Sequence, residues 1–97
     1  MPADPALTSA FDTALKQIDR ALSADMRTRT GEPARPQLEQ LRAELRAHRD
    51  RAAEAGDVDA AWVRDAVRSV VAWAPETELT LIAALGAIAR ANGRGRR

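Results

Sequence analysis

Apolar side chains recur every three or four residues in four separate stretches of this chain, and proline or glycine interrupts the pattern between them. That spacing places each stretch on one face of a helix and leaves no run with strand-like alternation. The chain therefore reads as all-α, a single domain over residues 1–97 built as an antiparallel bundle of four helices.

Asp4 precedes Pro5, a capping side chain before a residue suited to the first helical turn, and Phe11, Leu15, Ile18, Leu22 and Met26 follow at helical spacing. A first helix is predicted at about 5–26. Thr28, Thr30, Gly31 and Pro33 break the pattern, so 27–35 is the main loop, and its packing is left open. From Pro36, the residues Leu38, Leu41, Leu45, His48 and Ala52 form a seam of little more than two heptads, giving a second helix at about 36–55. Gly56 supplies a stop and Asp57 a cap, so a third helix at about 57–73 follows almost at once. Its apolar positions, Val58, Trp62, Val63, Ala66, Val67, Val70, Val71 and Trp73, cover about half the circumference. The β-branched residues at 67–71 also suit a strand, but the flanking alanine and arginine periodicity favours helix. Pro75, with Glu76 and Glu78 in a first turn, starts a fourth helix at about 75–91, and Asn92-Gly93 ends it ahead of a flexible basic tail, 92–97.

Charge is unevenly placed. Residues 1–89 hold eleven basic and fourteen acidic side chains, whereas Arg90, Arg94, Arg96 and Arg97 add four positive charges with no acid among them. Fourteen of the fifteen basic residues are arginine, a bias that fits phosphate or carboxylate recognition but more simply the Arg- and Ala-rich coding of a GC-rich, bacterial-like genome. There is no cysteine, which removes disulfides, thiolate metal sites and thiol nucleophiles. The uncharged stretch 79–89 falls short of the roughly 20 residues a spanning helix needs, and the first residues do not resemble a secretory signal. A cytoplasmic protein without a membrane span is the expectation.

Two surfaces stand out. Arg35, Arg42, Arg46 and Arg49 form a ridge beside the leucine seam of the second helix, as Asp12 and Asp19 do beside the stripe of the first. A hairpin closed near Met26 and Pro36 brings Asp19 level with Arg42 or Arg46 and Asp12 level with Arg49, so intramolecular ion pairs are predicted. The remaining positive charge, joined to the tail, offers a phosphate-binding surface, although no recognition helix or aromatic stacking platform accompanies it. The second surface is the hairpin of the third and fourth helices. Its apolar content exceeds what the narrow stripes of the first two can cover, so Trp62, Val70, Trp73, Leu81, Leu85 and Ile88 are expected to face a protein partner or a second copy, as in a homodimer.

Chemistry has little support. His48 follows Glu44 by four residues, but a metal site needs further ligands at the same height, and His48 sits on the seam as a partly buried structural imidazole. Ser9, Ser23 and Ser69 have no neighbouring base, and Gly93-Arg94-Gly95 is the lone Gly-x-Gly. No catalytic residue, metal or cofactor is expected. The expected role is a non-enzymatic protein-interaction module, a small regulator, adaptor, inhibitor or assembly subunit. The alternative is a nucleic-acid-associated accessory protein using the arginine ridge and tail. The two differ in salt response, since phosphate binding weakens steeply with salt and apolar docking does not.

Overall fold

The computed structural model describes residues 5–75 and 78–94, with side chains as far as residue 92. It is an all-α four-helix bundle: α1 (Pro5–Ser23), α2 (Arg35–Ala55), α3 (Ala60–Trp73) and α4 (Thr80–Arg94), with no strand among the described residues. None of these helices is long and apolar enough to cross a membrane. Asp4, Glu76 and the end of the basic tail, cited above for their sequence signals, lie outside the described residues.

Helix α1 lies between α2 and α4, and α3 packs against α4. The core is their common filling: Leu7, Phe11 and Ile18 from α1, Leu38 and Leu45 from α2, Val63 and Val70 from α3, and Leu81, Leu85 and Ile88 from α4. The α1 stripe thus starts one turn earlier than Phe11, at Leu7, while Leu15 and Leu22 are only half-buried. Two ion contacts mark the α1–α2 register, Asp19 with Arg42 at 3.2 Å and Asp12 with Arg49 at 2.9 Å. Because the earlier residue of α1 meets the later residue of α2, these two helices run antiparallel.

Helix boundaries depart from the sequence expectation where side chains or unusual backbone take over. Helix α1 stops at Ser23 because Asp25 adopts a left-handed conformation, φ 55°. The Asp25 N–H then bonds to the Leu22 carbonyl and the Met26 N–H to the Ala21 carbonyl, a Schellman closure that turns the half-buried Met26 onto the core. Aspartate is one of the few non-glycine residues that tolerate this conformation. Gly56, at φ 84°, ends α2 as expected, donating its N–H to the Ala52 carbonyl.

The cap of α3 is Asp59 and not Asp57. Its carboxylate accepts from the Ala61 N–H at 2.9 Å, and the helix starts at Ala60. Val58, expected inside α3, is instead held outside it by Asn92 of α4. The Asn92 carboxamide accepts from the Val58 N–H and donates to the Val58 carbonyl, both at 3.1 Å and both buried. This two-point pairing ties the Val58 backbone to α4, one residue ahead of the Asp59 cap. Asn92 therefore does not stop α4, which continues to Arg94; it is a polar clasp turned into the core.

Helix α4 also starts later than Pro75. The Glu78 N–H closes a turn on the Pro75 carbonyl, and the Glu78 carboxylate accepts from the Leu81 N–H at 3.1 Å, so the first helical residue is Thr80. The connector after Pro75 uses up the chain that the sequence assigns to the first turn.

The main loop packs. Arg27 and Pro33 form an isolated bridge, Gly31 takes φ 87° within it, and Thr28 is buried. Arg29 reaches the carboxyl end of α3, where its backbone N–H bonds to the Trp73 carbonyl and its guanidinium bonds to the carbonyls of Ala74 and Val71, at 2.9 and 2.8 Å. A cation placed on the last carbonyls of a helix satisfies orphan acceptors and complements the helix dipole.

Replacing Asn92 by alanine leaves both buried Val58 groups unpaired, at about 1–3 kcal/mol for each. Urea unfolding of Asn92→Ala is expected to show a clearly lowered midpoint at an unchanged slope. Wild-type stability in that variant removes the clasp from the account of the fold.

Candidate functional site

Helix α3 is, like α2, an outer member of the bundle, packed chiefly on one neighbour, α4. Val63, Ala66 and Val70 point into the core, and the residues either side of them are left to two different neighbourhoods. On one flank Trp62 and Trp73 lean toward α2; on the other Val67 and Val71 lie beside α4.

The first flank forms a groove of about 310 Å³ between α2 and α3. Its floor is Leu41, Ala66 and Val70, with Trp62 and Trp73 half-buried along it, and its rim carries Gln37, Gln40, Glu44, Asp65 and Ser69. Glu44 accepts from the Trp62 indole N–H and from the Gln40 amide, both at 2.8 Å. These donors are neutral, so the carboxylate charge is bonded but not balanced. The opposite face of the arrangement is His48, whose ring stacks on the Trp62 indole with centroids 4.0 Å apart and planes 19° apart. Gln37 Oε1, on the groove wall, is buried without a donor among the described residues.

The second flank is a shallow, open depression of about 660 Å³ lined by Ala60, Val63, Val67 and Val71 of α3 and Ala89 of α4. Val71 is 44% exposed, and it and Leu79 are the large apolar side chains exposed among the described residues. Arg64 and Arg68 edge the depression. Neither makes an ion pair among the described residues. Arg90, next to Ala89, lies back over Gly86, where an added Cβ would sit 3.5 Å from its Nη1.

The apolar residues expected at a partner surface separate into two groups. Val70, Leu81, Leu85 and Ile88 are core, each at 1% exposure or less. The expectation fails for them because α4, apolar nearly all round, is covered by α1 on one side and α3 on the other. Trp62 and Trp73 remain half-exposed, but on the α2 side of α3 and not on a face shared with α4. Val71 reaches solvent and Val67 is half-buried against the core; both were visible as apolar positions, and which flank they occupy depends on where α4 sits.

The arginine ridge is largely answered from within. Arg42 bonds to Asp19, Arg35 lies 3.5 Å from Glu39 one turn on, and Arg49 Nε lies 2.9 Å from Asp12 at an angle outside hydrogen bonding. Exposed contacts of this kind contribute about 0.2–1 kcal/mol each, enough to bias register. Arg46 alone of the four makes no ion pair among the described residues. Nor do three His, Asp or Glu side chains converge as a metal site among them. Arg29 and Asn92, which hold the two ends of the α3 region, carry no sequence signal, since each acts across more than thirty residues on backbone atoms.

Burial against Trp62, followed by the positive charge of Arg51, holds the His48 imidazole below its ordinary value of 6.5, while Asp59 and Glu44 pull it upward. With the folded value depressed, His48 adds stability above about pH 6.5 that is lost as pH falls through the folded value. The difference in denaturation midpoint between wild type and His48→Gln is therefore expected to shrink from pH 7.5 to pH 5. A difference that grows on acidification reverses the sign and excludes a desolvated neutral ring.

Comparison with known proteins found no matching family model, no similar curated protein and no similar solved structure, which leaves the chemistry of these two flanks as the basis for a functional reading.

Proposed function

We propose that this protein is a non-enzymatic interaction module that docks an amphipathic helix of a partner protein on the valine strip of α3. The observation that carries this reading is the strip itself: Val71 is exposed and Val67 half-buried in an open depression that no other described residue covers at Val71, and Arg64 and Arg68 line its edge without carboxylate partners among the described residues. Aliphatic side chains at the centre of a patch with charge at its margin are the layout of a docking surface, in which the centre supplies affinity and the margin selects the partner.

The sign of the margin narrows the occupant. Two copies of the protein meeting through this strip in antiparallel fashion bring the arginine edges together, which is repulsive. A helix with an aliphatic stripe flanked by Asp or Glu matches both the strip and the edge. The α2 ridge supports a phosphate-binding role less well, because Arg35, Arg42 and Arg49 already face carboxylates.

A photo-reactive amino acid in place of Val71 tests this in lysate of the organism that encodes the protein. The expected adduct is on a peptide of another protein, with acidic residues flanking an aliphatic stripe. The charge-reversing pair Arg64→Glu and Arg68→Glu is expected to lower its yield about tenfold or more. Both arginines are exposed, so that pair leaves the circular dichroism unchanged. No adduct, an adduct on a peptide without acids, a yield insensitive to charge reversal, or an adduct only on the protein's own chain each overturns the reading.

A further inference from the structure

The groove between α2 and α3 is a different surface from the valine strip, and its charge has the opposite sign. Among the acidic side chains, Asp12, Asp19, Asp25 and Glu39 each lie within ion-pair distance of an arginine. Glu44 and Asp65, on opposite walls of the groove, do not among the described residues, a state they share with Glu32, Asp50, Glu54, Asp59 and Glu78, but no described Arg, Lys or His lines the groove they share. Two carboxylates thus share a cleft into which no described cationic side chain reaches.

The rest of the cleft is shaped for a cation carrying an aliphatic stem. Leu41, Ala66 and Val70 give an apolar floor, and Trp62 and Trp73 bound it along α3. Eleven residues of helix separate the two indoles by about 16 Å. An indole attracts a cation over its negatively polarised ring face, and carboxylates bind guanidinium groups in a charge-assisted way. Glu44 is already held by Trp62 and Gln40, so it is oriented before any ligand arrives. At about 310 Å³ the cleft sits at the small end of the range for small-molecule sites.

We propose that this groove binds a small aliphatic cation, an alkylguanidine or alkylamine, with its charged head between Glu44 and Asp65 and its stem on Leu41 and Val70. The two tryptophans that line the groove are the only ones in the chain, so their fluorescence reports on its occupancy directly. This inference stands apart from the docking of a partner helix on the other flank, and either can fail alone.

The test titrates the full-length protein with butylguanidine and agmatine, using butylurea as the neutral analogue of matching shape. Butylguanidine and agmatine are expected to give a saturable emission change with a dissociation constant of about 1 mM or below, which corresponds to about −4 kcal/mol. Butylurea is expected to give none. Glu44→Gln retains an acceptor for the Trp62 indole and Asp65→Asn changes an exposed residue, so both variants keep the groove while removing one charge. Each is expected to weaken binding about tenfold, and the double variant to abolish it. An absence of saturation by 10-fold above that concentration, an equal response to butylurea, or full binding by the double variant overturns the proposal. An acetyl-arginine-amide-capped peptide that binds more than about tenfold tighter than butylguanidine also overturns it, by reassigning the groove to a protein side chain.

Discussion

The packing of α4 between α1 and α3 is the constraint from which the rest of the arrangement follows. Leu81, Leu85 and Ile88 are fully buried, and alanines at 84 and 91 let the neighbouring helix come close. A helix with almost no polar face is stable only when covered on most sides, and two partners are needed to do this. Once α4 occupies that place, α3 is pushed to the outside of the bundle. It touches α4 through Val63 and its neighbours but meets α2 chiefly through long side chains, of which Trp62 is the clearest. The groove on one flank and the valine strip on the other are both consequences of that displacement.

A peripheral helix of fourteen residues needs to be tied at its ends, and the chain does so with polar side chains acting on backbone. At the amino end, Asn92 clasps Val58 and Asp59 caps the first turn. At the carboxyl end, Arg29 delivers three donors to the last carbonyls. These contacts are directional, so they set the position of α3 more narrowly than the sliding contact of valine on alanine can. They also leave Val71, which is exposed, without a part in anchoring the helix.

The number of helices and most of their extents were legible because apolar periodicity and the punctuation at Gly56 report local geometry. The α1–α2 pairs were legible as well: a short loop, two seams and flanking charges leave few registers, and Asp19 meets Arg42 while Asp12 meets Arg49. What was not legible is long-range and polar. Nothing about Arg29 in a Thr- and Gly-containing loop announces that it caps a helix more than forty residues away, and Asn92 next to Gly93 has the local look of a helix stop. The ends of α1 and α3 moved for related reasons, a left-handed Asp25 in one case and the clasped Val58 in the other. The apolar surface was misread because hydrophobic content was weighed without knowing sides. Leu81 and Leu85 are greasier than Val71, yet the larger residues are enclosed and the smaller one reaches water.

Charge follows the same division of the molecule. Carboxylates on α1 meet arginines on α2, and this exchange removes most of the basic character that the α2 ridge has on paper. On α3 no such exchange takes place: Arg64 and Arg68 stand along one flank, while Asp65 lies on the groove of the other. Opposite charges on one short helix are thus kept apart by the curvature of the helix itself, and each remains next to apolar surface. A partner that approaches the valine strip encounters positive charge, and a ligand that enters the groove encounters negative charge. The two flanks therefore present charge of opposite sign beside apolar surface.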